Sequence, residues 1–291
     1  MRRVWGVFAV VGVLALVPAP ASADATELTC AFRPIIATEG PALAPCQGVR
    51  PGGALIVKSG EFDVIYCTMA FLVTDGTDVY LTTAGHCTLE EFGVPTLGQD
   101  TYAHGVDGPI GKVVYTWCEG RAANGGCGGG TDFGMIKLNA NGVKHANPAM
   151  CGWSAPAGIF RDHDLVVRET RHTGWGSGIG GAGAGTRLNG QLVQPGNPIT
   201  QSRRSIGIDF SDDNAVLGWG AAIPGDSGSG MLVTDLPQAP STHQNAPNAL
   251  GVLTHISAGG LQIIQRLDVS LAKAGRDLHA RFSLWRPSAS R

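Results

Sequence analysis

PGDSGSG, Pro224 to Gly230, sets an aspartate and a serine, Asp226 and Ser227, between two glycines, Gly225 and Gly228. A serine hydroxyl is a poor nucleophile at neutral pH and needs a base to take its proton. When it attacks a carbonyl, backbone N–H groups must meet the oxyanion that forms. Glycine reaches the positive φ that turns such groups inward without a steric penalty. The N–H groups of Gly225 and Ser227 are therefore the candidate oxyanion donors. A chain with 43 glycines also produces Gly-Asp-Ser-Gly as an ordinary turn. The stretch therefore needs a base and an orienting acid elsewhere.

Both have candidates upstream. LTTAGHC, Leu81 to Cys87, places His86 directly after a β-run and beside a cysteine. Histidine suits a general base because its ordinary pKa, about 6.5, lies near working pH. TDFGMIKL, Thr131 to Leu138, places Asp132 at the head of an apolar run. From there a carboxylate can accept from a histidine ring nitrogen and fix its tautomer. Each signal alone has an ordinary structural reading: His86 is one of eight histidines, and aspartates commonly begin strands.

In the order His, Asp, Ser, the three blocks TTAGHC, TDFGMIKL and PGDSGSG resemble the catalytic blocks of the chymotrypsin-like (trypsin-fold) serine peptidases, in their exported bacterial branch. The resemblance runs from about Ala54 to Trp285 and is sharp at the three blocks. It implies an all-β fold: two six-stranded antiparallel β-barrels with the active-site cleft between them, and a C-terminal α-helix. It implies His86 as base and then acid, Asp132 as its orienter and Ser227 as nucleophile, with Gly225 and Ser227 forming the oxyanion hole. The expected activity is that of a secreted serine endopeptidase working through an acyl-enzyme. Two alternatives stay open: a catalytically silent binding or adhesion protein of this fold, and a serine esterase using the same triad. The G-x-S-x-G elbow of α/β-hydrolases is absent, because Ser229 stands where its second glycine belongs.

The chain departs from the family where substrate is bound. The usual Ser-Trp-Gly is matched here by Thr254-His255-Ile256, and Ala221 stands where trypsin-like members carry an acid. These four residues are the expected substrate-binding positions. Without a carboxylate at Ala221, a preference for Arg or Lys at P1 is not expected, and His255 points to an acidic P1 residue. No Ile-Val-Gly-Gly start is present to pair with Asp226.

The remaining sequence sets the context. Arg2 and Arg3, the apolar run Val4 to Val17 and the small residues Ala21-Ser22-Ala23 form a secretory signal, so residues 1–23 are expected to be removed. Residues 24–53 read as an irregular N-terminal segment or a pro-segment, 54–150 as the first barrel, 151–266 as the second and 267–291 as a helix with a tail. Net charge is −2 with only 15% charged residues, which offers no basic field for nucleic acid. No later stretch is apolar enough to span a bilayer, so no membrane contact is expected after signal removal. A polypeptide substrate and a monomer are expected.

Export favours disulfides among the seven cysteines. Cys67–Cys87 and Cys118–Cys127 are the expected pairs, with Cys30, Cys46 and Cys151 competing for a third. C-x-x-C and H-E-x-x-H are both missing, so no metal and no cofactor are expected. G-x-G-x-x-G at Gly176, Gly178 and Gly181 runs on into further glycine rather than a helix, and reads as a loop. Short β-branched and aromatic runs recur from Ala54 to Leu267. Leu271, Ala274, Leu278 and Phe282 recur at helical spacing, which predicts an amphipathic helix over Val269–Trp285.

Overall fold

The run GKVVYTWC alternates apolar and polar residues, and it forms a strand, Gly111–Cys118, whose burial alternates with it. Val113, Tyr115 and Trp117 face the core while Lys112 is exposed, the pattern of a sheet with one dry face. The computed structural model describes residues 47–59, 63–89, 94–120, 127, 130–150, 155–161, 168–174, 187–188, 191–192, 201–208, 214–220, 222, 225–233, 247–256 and 261–287. The expected signal, Cys30, Cys46, Cys151, Ala221 and most of the glycine-rich loop lie outside the described residues.

The first half supplies β1 (Ala54–Ser59), β2 (Asp63–Thr68), β3 (Leu72–Thr74), β4 (Val79–Thr83), β5 (Asp100–Ala103), β6 (Gly111–Cys118) and β7 (Asp132–Leu138). A short helix, α1 (Ala140–Lys144), follows. The strand order is β3-β4-β7-β6-β5-β1-β2. The outermost of these seven strands, β2 and β3, belong to one stretch of chain. Its start pairs with β1 and its end with β4. That continuity curls the sheet into a barrel, and it splits the apolar run Val64 to Val73 into two strands. Among β1 to β7, only β5, with the unremarkable sequence DTYA, has no counterpart among the strands expected from the sequence.

The second half supplies β8 (Gly158–Ile159), β9 (Arg168–Gly174), the pair β10 (Arg187–Leu188) and β11 (Gln191–Leu192), β12 (Gln201–Ile208), β13 (Ala215–Gly220), β14 (Gly230–Val233), β15 (Asn248–Ile256) and β16 (Leu261–Arg266). The order β14-β9-β12-β13-β16-β15 closes on itself, because β14 pairs with β15 as well as with β9. Closure leaves no free edge in this ring. The molecule is thus all-β, with two antiparallel barrels followed by a helix.

Both faces of β14 are buried. Met231 and Val233 join Phe160, Val216, Leu250, Leu253 and Ile264 inside the second barrel. Leu232 points the other way, into the larger cluster with Phe71, Phe133 and Met135 of the first barrel. The barrels are pressed close here: a Cβ on Gly230 would lie 2.8 Å from the Phe71 ring.

The C-terminal helix corrects the sequence expectation. It spans Leu267–Asp277 (α2) rather than running on to Trp285. His279 takes φ 54° and the Ala280 N–H reaches back to the Gly275 carbonyl at 3.0 Å. That is the closing geometry of a helix stop, built on a left-handed histidine where glycine is usual. Phe282 therefore packs edge-on against Tyr80, ring centroids 5.2 Å apart, instead of extending the helical stripe. Ser283–Leu284 (β17) then pairs with β3, so the end of the chain joins the first sheet. The Tyr115 hydroxyl donates to Asp277 at 2.8 Å and ties α2 to β6.

Candidate active site

His86 sits in a 3-10 turn, Gly85–Thr88, that begins two residues after β4. The turn is packed so tightly that a Cβ on Gly85 would lie 2.7 Å from both the Phe133 nitrogen and the Trp117 carbonyl oxygen. Cys87 is bonded to Cys67 at the end of β2, and Cys118 to Cys127, so the structure contains both expected disulfides.

Asp132 opens β7 with no exposed surface. Its Oδ1 accepts the backbone N–H of His86 at 2.7 Å, and its Oδ2 is 2.8 Å from His86 Nδ1. A buried carboxylate accepts only, so the network assigns the ring proton to Nδ1 and leaves Nε2 with its lone pair. Burial is the largest influence on the ring and works against its charge. The ion pair and hydrogen bond with Asp132 outweigh it, and the imidazole is held above its ordinary value. The Asp132 N–H in turn donates to Gln265 Oε1 of β16 at 3.3 Å, and Gln265 Nε2 donates to the Asn214 carbonyl at 3.1 Å.

Ser227 lies in a turn whose glycines Gly225 and Gly228 have φ of 97° and 89°. The Gly228 N–H donates to Leu253 and the Ser229 N–H to Asp226, at 2.7 and 2.9 Å. Among the described residues no acceptor meets the N–H of Gly225 or of Ser227. Thr68 fastens the turn to the first barrel. Its N–H donates to the Ser227 carbonyl and its hydroxyl to the Gly225 carbonyl, both at 2.7 Å. The Cys87 sulfur lies 3.9 Å from the same Ser227 carbonyl oxygen, so the disulfide beside His86 also borders the serine turn.

Of the expected substrate-binding residues, Thr254 is buried and donates its hydroxyl to the Ile263 carbonyl at 3.1 Å. His255 is half-buried with its Nδ1 3.7 Å from Asp132 Oδ2, and Ile256 is 39% exposed at the end of β15. A register shift in the β15–β16 pairing between Leu253 and His255 accompanies this arrangement. Thr68 and Gln265 have no signal of their own in the sequence. Thr68 could be noticed only as the neighbour of a cysteine expected to pair with Cys87. Cys67, His86 and Cys87 bring potential metal-ligand atoms within 4.8 Å of one another. Both sulfurs are spent in the disulfide, which leaves no thiolate to bind an ion.

Proteases are among the solved structures similar to this chain. Thermobifida fusca Protease A is 16% identical with a TM-score of 0.47, the match covering 81% of this chain and 98% of that one. A glutamic-acid-specific serine protease, described as using a histidine triad in substrate binding, is 20% identical with a TM-score of 0.45. That match covers 81% of this chain and 100% of the other. The alpha-lytic protease homolog N4 is 16% identical with a TM-score of 0.43, covering 82% of this chain and 100% of the other. No protein-family model and no curated protein sequence matches the chain.

Proposed function

We propose that the protein is a secreted serine endopeptidase with Ser227 as nucleophile, His86 as general base and acid, and Asp132 as the group that orients His86. The observation that carries this reading is the two-point hold of the buried Asp132 on His86, through ring and backbone together. A structural histidine needs one such bond; a base that must present Nε2 in a fixed direction gains from both.

In the proposed reaction His86 Nε2 takes the Ser227 hydroxyl proton as Oγ bonds to the substrate carbonyl carbon. The carbonyl π electrons move onto oxygen, and the N–H groups of Gly225 and Ser227 receive that oxyanion. Collapse breaks the C–N bond, and the leaving amine takes the proton from His86. Water then repeats the sequence on the acyl-enzyme: it gives a proton to His86, attacks the ester carbon and releases Ser227 with that proton returned. The signal-like residues 1–23 and the two disulfides support export.

The test is hydrolysis of an unstructured protein and of matched peptide amides and esters by wild type and Ser227→Ala. Cleavage of amides by wild type alone supports the endopeptidase. Ester turnover without amide turnover favours the esterase, and neither favours the silent binding protein.

A further inference from the structure

Two histidines face one carboxylate. His255 Nδ1 is 3.7 Å from Asp132 Oδ2, the oxygen that also takes the His86 Nδ1–H, and the two ring centroids are 6.1 Å apart. His255 Nδ1 is also 3.1 Å from Thr254 Oγ1. The Thr254 hydroxyl already has an acceptor in the Ile263 carbonyl. A carboxylate on one side and an engaged hydroxyl on the other both call for a donor, so the proton of neutral His255 belongs on Nδ1. Asp132 is fully buried, and its charge acts on both rings through protein rather than water.

We infer that His255 is a positioning residue for the Asp132–His86 pair, placing a second N–H against Oδ2 and drawing on the charge that stabilises the His86 imidazolium. The inference rests on the proposed role of His86 as base. Its consequence is that His86 is less basic than Asp132 alone would make it, and so remains able to accept the serine proton at lower pH. Among the described residues, the titratable groups facing the His255 ring are Asp132 from β7 and His86 from the turn after β4. Its strand neighbour β16 contributes Gln262 and Ile263 beside it, neither of which titrates.

The experiment compares wild type with His255→Asn, which keeps an uncharged N–H near the Nδ1 position, and His255→Phe, which keeps a ring without one. The first readout is kcat and KM on a peptide amide from about pH 5 to 9. The second is an imidazole 15N NMR titration of His86 in the Ser227→Ala background, which needs no turnover. His255→Phe is expected to move the His86 titration and the acid limb of kcat to higher pH. It should also lower kcat roughly tenfold near the limb while KM stays within about twofold. His255→Asn should bring the limb back towards wild type.

An identical His86 titration in all three proteins overturns the inference. So does a rise in KM, confined to substrates with an acidic P1 residue, over an unmoved His86. If His255→Phe does not fold, His255→Leu takes its place: an unmoved His86 curve overturns the inference, and a curve moved to higher pH supports it. An inactive wild type whose His86 still responds to His255 would defeat the peptidase reading and leave the pairing standing. An active enzyme with an unresponsive His86 would do the reverse.

Discussion

The Thr68 N–H and the Ser227 carbonyl share a 2.7 Å hydrogen bond that crosses from the first barrel to the second. The Thr68 hydroxyl repeats the crossing to the Gly225 carbonyl, and its own carbonyl accepts from the Thr83 hydroxyl at 3.1 Å. The turn is held by carbonyls, and among the described residues no acceptor meets the N–H groups of Gly225 and Ser227. Thr68→Val keeps the backbone bond and strands the Gly225 carbonyl. It is expected to lower stability by about 1 kcal/mol, the cost of a part-buried polar group left unmet. The rate of reaction with an active-serine probe should fall with it. Thermal melts and labelling rates measure both effects, and a variant unchanged in each would contradict the clamp.

Gly228 is required twice over. Its φ of 89° is left-handed, and a Cβ there would lie 2.3 Å from the Thr68 carbonyl oxygen and 2.2 Å from Thr83 Oγ1. A backbone carbonyl cannot yield that much. Gly228→Ala is expected to cost well over about 1 kcal/mol and to displace Ser227. A melting temperature and activity close to wild type would show that the turn is looser than described.

The Cys67–Cys87 bond closes a sequence separation of 20 residues and holds the His86 turn against the strand that grips Ser227. Replacing both cysteines by alanine is expected to destabilise the fold by about 3 kcal/mol on the loop-entropy account. Activity measured well below the melting point should also drop, because the disulfide borders both candidate residues. A destabilised but fully active double variant would make the bond a purely structural feature, and one of unchanged stability would contradict the loop-entropy account.

On the proposed mechanism, protonation of His86 pulls stability and activity in opposite directions. Burial opposes its charge most strongly, yet the ion pair and hydrogen bond with Asp132 hold its folded value above the ordinary one. The stabilisation is therefore complete below the unfolded value, about 6.5, and is lost as pH rises through the folded value. On the proposed mechanism catalysis needs the neutral ring and rises over that same interval. His86→Ala should thus destabilise the protein more at about pH 5.5 than at about pH 9, while wild-type kcat/KM climbs between them. Urea midpoints of the two proteins at both pH values check the sign, and an equal difference at both would contradict it.

The strands were legible because their side chains alternate or branch at Cβ, as in GKVVYTWC and ALGVLTHI. The serine turn was legible because glycine marks it on both sides of Asp226-Ser227. What escaped was set by contacts across the fold. The strand DTYA is made by pairing with β1 and β6, and nothing in its own four residues asks for it. The end of α2 escaped because a histidine, not a glycine, takes the left-handed position at 279. Thr68 and Gln265 escaped because their partners lie 157 and 133 residues away in sequence. The meeting of His255 with Asp132 falls beside a register shift that no local pattern announces.

The central claim is that Ser227 is an activated nucleophile, and reaction with a fluorophosphonate probe tests it most directly. Purified protein lacking residues 1–23 is incubated with the probe beside Ser227→Ala and His86→Ala, and the labelled peptide is mapped. The account predicts one label, on Ser227, formed by the wild-type chain and lost in both variants. A folded wild-type protein that takes no label, or one labelled at another residue, would contradict it.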